Sequence, residues 1–401
     1  MSKLAPAAIA GLTEWKPERV WSRPMFNMEA MALLTKELLE DTGIEKGEVD
    51  GIVTGGVMES PMFGPSAVAE YLGIKSNFNE VVDLGGATAA GMIWRAAAAV
   101  QLGMCECVLV LVPSVPPPMP PSGGGMGNKM VMPAYLGGDS WGSPQGQFEI
   151  PAGLVAATPS FAMVASRYMA EYGVSEETLA KVAVQERHNA QANPDAMFYG
   201  KPIDVQDVME SRRIADPLKL LEVVLPCFGG GGVIVTTQDR ARRTPHRPAL
   251  LTGYAERLTH KSITYAPDLI DTPIRHASDR AFEMAGATRE AVDYAGMYDC
   301  FTITVLVTIE DAGFCKKGQG GAFIDERDLR FDGGDWPLNT HGGQLGMGQG
   351  GSAGGLSHIT EAVRQIQGRA GDRQLPKCDL AYANGTGGML AEQVALILEG
   401  A

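Results

Sequence analysis

No stretch of this chain approaches the roughly 20 consecutive apolar residues of a membrane-spanning helix. Positive charge is scarce. The 33 Lys and Arg stand against 47 Asp and Glu, a net charge of -14, which argues against nucleic acid or an anionic membrane as the main partner. Cysteine is sparse too. Cys105, Cys107, Cys227, Cys300, Cys315 and Cys378 show no paired C-x-x-C zinc spacing, so no metal site and no disulfide framework is expected. The start, Met1-Ser2-Lys3-Leu4-Ala5-Pro6, does not read as a signal peptide. The expectation is a soluble, cytoplasmic protein.

Glycine is abundant, at 50 of 401 residues, with 20 methionines beside it. Glycine gathers at strand–helix junctions, where backbone approaches closely or takes positive φ. Methionine suits gap-filling in a core or an adaptable apolar tunnel. A chain that is 45% hydrophobic can bury a large core or two packed halves.

The chain repeats itself. Gly43-Ile44 stands seven residues before Asp50, and Gly286-Ala287 seven before Asp293. Each pair follows an amphipathic helix, 28–42 and 273–285, and precedes a strand, 51–54 and 294–298. Helix 87–102 leads through Gly103 into strand 106–112; helix 352–367 leads through Gly368 into strand 379–383. The same helix–strand–helix–strand order twice indicates a duplicated α/β unit, with residues 1–245 and 246–401 as the halves. Between strand 106–112 and strand 232–237 lies an insertion, about 113–225. It begins with a Pro-, Gly- and Met-rich segment, 113–160, and continues as helices 162–172 and 176–192, the second capped by Ser175.

Five motifs in order carry a resemblance to a known family. They are His188-Asn189-Ala190-Gln191-Ala192-Asn193-Pro194, Asp216-Pro217-Leu218 followed by glycines 229–232, Tyr298-Asp299-Cys300-Phe301, Asn339-Thr340-His341-Gly342-Gly343, and Asn384-Gly385-Thr386-Gly387-Gly388. Over essentially its whole length the chain resembles the thiolase superfamily, especially the sterol-carrier-protein-2 thiolase and lipid-transfer-protein branch. The resemblance implies an α/β thiolase fold: two duplicated halves in five-layered α-β-α-β-α packing, with an inserted loop domain over the site. It also implies a homodimer paired through sheet edges, a coenzyme A thioester as substrate and no covalently bound cofactor. A small OB-fold partner carrying a zinc ribbon is implied for aldolase-like members, with segment 113–160 as a lid or docking surface for it.

The family's chemical groups are absent. The nucleophilic cysteine falls on Gly86, the Gly-His-Pro histidine on Gln349, beside Gly348, and the C-terminal cysteine on Asn384. The His of His-Asp-Cys-Phe is Tyr298. None of these forms a thioester. Tyr298 is the most capable survivor, since a phenol serves as general acid or base. Cysteine-less members with a site tyrosine cleave β-hydroxyacyl-CoA by retro-aldol chemistry, which needs a base and enolate donors but no nucleophile. The expected catalytic set is Tyr298, with His341 as a second base and Gln349, Asn384 and glycine-loop N–H groups on the enolate oxygen. Gly86, Asp299, Gly348, Gly387 and His188 are the expected substrate-binding positions, Gly86 leaving room and a backbone N–H where the acyl group is bonded in thiolases. Two other readings remain: a true acyltransferase, and a non-catalytic lipid or acyl-CoA binding subunit. Gly346-x-Gly348-x-x-Gly351 lacks the strand and acidic partner of a dinucleotide fingerprint, and Gly350-Gly351-Ser352-Ala353-Gly354 reads as a helix start rather than a nucleophile elbow.

Overall fold

The structure is a computed structural model that describes residues 4–118 and 142–401. The middle of the expected lid segment, 119–141, lies outside the described residues. The first half runs β1 (Ala7–Glu18), α1 (Asn27–Thr42), β2 (Gly51–Thr54), α2 (Gly64–Leu72), β3 (Phe78–Val81), α3 (Thr88–Gln101) and β4 (Cys107–Ser114). A mainly helical stretch follows: α4 (Ala157–Tyr172), α5 (Glu176–Ala190), α6 (Val205–Glu210), and the short paired strands β5 (Arg213–Ala215) and β6 (Leu218–Lys219). β7 (Pro226–Thr236) and α7 (Gln238–Ala241) lead to β8 (Ala249–Leu258), α8 (Ile274–Ala285), β9 (Tyr294–Gly296), α9 (Thr302–Asp311) and α10 (Gly320–Glu326). The chain ends with α11 (Gly343–Met347), β10 (Gln349–Gly350), α12 (Ser357–Gln367), β11 (Leu380–Gly387) and β12 (Glu392–Gly400).

The main sheet has the order β3-β2-β4-β7-β1-β8-β12-β11-β9. The duplication is visible in it: β1-β7-β4-β2 and β8-β12-β11-β9 run outward from a central antiparallel join between Ala7–Ile9 and Ala249–Leu251. In both halves the inner pairings are antiparallel, and the pairing at the far end, β4 with β2 or β11 with β9, is parallel. α1 and α8 both stop at a left-handed glycine, Gly43 at φ 69 and Gly286 at φ 70, a conformation that glycine takes without a Cβ clash.

Strand alternation separates the layers. Along β1, Ala7 and Ile9 face one core while Ala8 and Ala10 face another. The second of these cores holds Met31, Leu34 and Leu38 of α1 and Val68 of α2. The first is the middle layer, where α3 and α12 lie between strands of both halves. On the outer face of the second half, Ala395 and Ile397 of β12 meet α8, α9 and the helical insertion. Helix, strand, helix, strand and helix layers therefore stack in the expected five.

Element ends differ from the sequence reading for physical reasons. β9 stops at Gly296, because the next two N–H groups bond to side chains: Met297 to Asn339 Oδ1 (2.8 Å) and Tyr298 to Asn384 Oδ1 (3.0 Å). β7 starts six residues before 232, since its glycines fit where side chains do not; a Cβ at Gly232 would stand 2.5 Å from Val110 O. α12 begins only at Ser357, after 3-10 turns over Gly351–Leu356. The expected glycine loop at 384–387 is instead strand, with Asn384 opposite Ala395 and Gly387 opposite Glu392.

Leu396, fully buried in the middle layer, tests this packing. Leu396→Ala should cost about 3 kcal/mol, while Leu258→Ala at the exposed end of β8 should cost less than about 0.5 kcal/mol. Chemical denaturation checks both, and similar values for the two would contradict the layer assignment.

Candidate active site

The strand-to-helix turn Gly85–Ala87 opens α3. Leu84 N–H bonds to Thr88 Oγ1 at 2.9 Å, which ties the turn to the first residue of the helix. Two glycine tracts from the second half press on this turn. A Cβ at Gly387 would stand 1.9 Å from Leu84 O, and one at Gly355 would stand 2.3 Å from Gly86 O. Backbone packs directly on backbone here, so any larger residue would force the elements apart.

The phenol of Tyr298 fills the space beside Gly86. A Cβ built on Gly86 would lie 2.2 Å from Tyr298 Oη and 2.4 Å from Thr386 O. The room expected at Gly86 is therefore occupied, by the phenol of Tyr298. Gln349 Nε2 donates to Tyr298 Oη at 2.9 Å. Asn384 Oδ1 accepts from Tyr298 N, while its amide donates to Thr386 Oγ1 (3.2 Å), and that hydroxyl donates to Gln393 Oε1 (3.0 Å). Gln349 and Gly86 thus meet the Tyr298 phenol, and Asn384 its backbone. Tyr298 is only 4% exposed.

Asp299 is fully buried next to it and points at α11. Its Oδ1 accepts from Gln344 N (2.8 Å) and its Oδ2 from Leu345 N (3.0 Å). His358 Nε2 lies 3.1 Å from Oδ1. Burial alone would raise this carboxyl, but the His358 hydrogen bond and charge outweigh it and hold Asp299 down at about 2. Glu186, on α5, faces the same spot: a Cβ at Gly343 would meet both Asp299 Oδ2 (2.2 Å) and Glu186 Oε2 (2.9 Å). Burial and the Asp299 charge push Glu186 well above the carboxylate range. Glu186 Oε1 accepts from Asn339 Nδ2 at 2.8 Å.

The other expected residues fall elsewhere. His341 is fully buried, and neither ring nitrogen has a hydrogen-bond partner among the described residues. Burial and the neighbouring His358 hold it well below its ordinary value, as neutral imidazole. The imidazole beside Tyr298 is that of His358, with ring centroids 6.1 Å apart. His188 is half-exposed on α5, pairs with Asp332 (3.0 Å) and stacks on Phe331. The rest of its motif clamps the segment before α11: Asn189 Nδ2 donates to Leu338 O (2.8 Å) and Asn193 Nδ2 to His341 O (3.0 Å). Gly348, at φ 99, has Cys227 Sγ and Met197 where a side chain would stand. Among the described residues no His, Cys, Asp and Glu group could hold a metal ion, and no helix is long and apolar enough to cross a membrane.

Sequence reasoning missed His358, Glu186 and Gln344. His358 had a usable signal: it is one of only six histidines and sits on the first turn after the Gly350–Gly355 tract, whose lack of side chains announces close packing. Glu186 carried none, since a helical Glu usually faces water.

Residues 255–400 match the family described as Thiolase C-terminal domain-like. The chain is 32% identical to the steroid side-chain-cleaving aldolase of Thermomonospora curvata over 95% of both chains. It is also 32% identical to the 17-hydroxy-3-oxo-4-pregnene-20-carboxyl-CoA lyase of Mycobacterium tuberculosis, over 90% of this chain and 92% of that one. Among solved structures, an Ltp2-ChsH2(DUF35) aldolase superposes with a TM-score of 0.83 at 30% identity, covering 99% of this chain and 98% of the other.

Two outcomes follow from the geometry. Gly86→Ala should cost about 1–3 kcal/mol and displace the phenol, read by denaturation. Glu186, with its value raised, contributes to stability below the ordinary carboxyl range and loses that contribution as pH rises through its folded value. Asp299, with its value lowered, contributes above about pH 4 and loses it as pH falls toward its folded value. At neutral pH the infrared spectrum should therefore show a protonated carboxyl that Glu186→Gln removes. That variant should stay within about 1 kcal/mol of the parent, whereas Glu186→Ala should lose about 2 kcal/mol or more.

Proposed function

The chain belongs to the thiolase superfamily, on the branch of sterol-carrier-protein-2 thiolase-like proteins and steroid side-chain aldolases, and from that membership we propose that it is a retro-aldol C–C lyase acting on a β-hydroxyacyl-CoA of the steroid or lipid side-chain type. The observation that carries this reading is the phenol of Tyr298 standing in the place of a nucleophile's side chain, with Gln349 donating to its oxygen. As phenolate, Tyr298 Oη takes the proton of the substrate's β-hydroxyl. The Cα–Cβ bond breaks, its electron pair passes into the thioester enolate, and the β-carbon leaves as a ketone or aldehyde. The enolate then takes a proton at Cα, which returns Tyr298 to phenolate and releases the shorter acyl-CoA. The proton balance closes with no co-reactant.

Gln349 supports the phenolate by a hydrogen bond to its oxygen, and Asn384 holds the Tyr298 backbone in place. Because the Asn384 amide is engaged and the glycine tract is laddered strand, donors to the enolate oxygen are sought at the N-terminus of α3. Gly348 and Gly387 act by letting backbone approach. His341 and His188 have no role in this step.

Acyl transfer through cysteine is disfavoured by the thiols themselves. Burial pushes Cys227 up to about 11 and Cys105, Cys107, Cys315 and Cys378 up to about 12, with Cys300 higher still. A thiol that stays protonated is a poor nucleophile. The solved aldolase it superposes on, Ltp2-ChsH2(DUF35), is named for two components, which supports a partner subunit here. An OB-fold chain with a zinc ribbon is the partner proposed, with β3 as the homodimer edge.

Tyr298→Phe should lower cleavage of a β-hydroxyacyl-CoA about 10²–10⁴-fold while acyl-CoA affinity holds, measured by product release and by calorimetry. Unchanged turnover would end the base assignment. Binding without cleavage of any such substrate, with the partner present, would favour the non-catalytic reading. Iodoacetamide should leave activity intact.

A further inference from the structure

We propose that the cleft between α1 and α2 is a binding site for a small aromatic carboxylate, separate from the Tyr298 site. It does not depend on the lyase reading. The two halves of the chain, set side by side, point to it.

The cleft has a volume of about 490 Å³, within the range of small-molecule sites. Leu39, Ile44 and Leu72 line it, with Lys36, Lys46 and Tyr71 around them. Its counterpart in the second half lies between α8 and α9. Gly43 corresponds to Gly286, so Lys36, Leu39 and Lys46 correspond to Asp279, Phe282 and Arg289. The far sides correspond as well. After Gly73, Ile74 N bonds to Ala69 O at 2.9 Å; after Gly313, Phe314 N bonds to Ile309 O at 3.0 Å. Tyr71 and Leu72 therefore match Asp311 and Ala312.

In the second half this space is closed. Arg289 donates to Ala312 O, pairs with Asp279 and lies over the Phe282 ring, 4.8 Å from its centroid. Phe282 meets Phe314 edge-on at 6.2 Å, and Arg275 pairs with Asp311 at 2.9 Å. The first half keeps one of these contacts: Lys46 Nζ donates to Leu72 O at 3.3 Å. The position of Asp279 is Lys36, and two ammonium groups border the space that an ion pair closes in the other half. Leu39 and Ile74 stand for the two phenyl rings, and Ala32 and Tyr71 for the Arg275–Asp311 pair. Thr35, also on the cleft wall and 4% exposed, has a hydroxyl with no partner among the described residues, whereas its counterpart Ser278 meets Tyr382 Oη at 2.9 Å.

The first half thus differs from its twin by a ring and a carboxylate. A ligand that carries both supplies the Phe282 and Asp279 groups together. Its ring lies on Leu39, Ile44 and Leu72, and its carboxylate pairs with Lys46. Two acidic residues also border the cleft. Glu40 stands 3.8 Å from Lys36, and Glu45 accepts from the Glu48 backbone, which leaves the Lys46 ammonium for the incoming anion.

The test is calorimetric titration of the intact protein with naphthoate at low salt, with naphthylmethanol as the uncharged probe. Naphthoate should bind about two- to fivefold more tightly than the alcohol, as befits a solvent-exposed ion pair. That difference should disappear in Lys46→Gln and in high salt. Leu39→Phe installs the ring of the second half and should abolish binding of both probes. Lys36→Asp, at an exposed position where folding is not at stake, sets a carboxylate against Lys46 and should remove the preference for the acid. Three results would each overturn the proposal: no binding up to millimolar naphthoate, equal affinity of the parent protein for acid and alcohol, or undiminished binding in Leu39→Phe.

Discussion

The exclusion of a side chain at Gly86 is the constraint around which the site is arranged. A Cβ there would occupy the same space as the Tyr298 hydroxyl, so cysteine at this turn and tyrosine at 298 are alternatives. The swap is geometrically concerted. The space a side chain at position 86 would need is taken by the phenol oxygen. Gly355 and Gly387 keep the walls beside the Gly86 turn as bare backbone.

Behind the phenol lies a dry polar cluster. Charges are costly to bury, and a pair that loses one member costs more than the pair itself. The cluster limits this cost by aiming two α11 N–H groups at Asp299 and by closing Gly343 against both carboxyls. It draws on α5, the turn after β9, the segment before α11, and α12. The helical insertion is thereby fastened to the floor of the site.

Much of this was legible in the sequence, and the exceptions have a common cause. Gly43 and Gly286 marked the duplication because a left-handed helix end leaves a local signature. Gly86 and Tyr298 were legible as departures from a pattern. Asn384 was expected as a donor to substrate; its amide accepts from Tyr298 N and donates to Thr386. His341 lies in a recognisable motif, yet its ring meets no donor or acceptor among the described residues. Glu186 and His358 come within reach of Asp299 only through packing across elements more than 50 residues apart. Local patterns carry no record of such distances.

The position of β1 bears on how the chain is made. Its partners on either side are β7 and β8, with Ala8 opposite Thr236 and Ala7 opposite Leu251. Synthesis at about 5–20 residues per second delays both partners by on the order of ten seconds or more. Through that interval β1 and the Val- and Leu-rich β4 have emerged without β7, the strand that lies between them. Nascent chains of this protein therefore carry an open, sticky edge until translation has passed the middle, and holdase chaperones are the natural means of covering it.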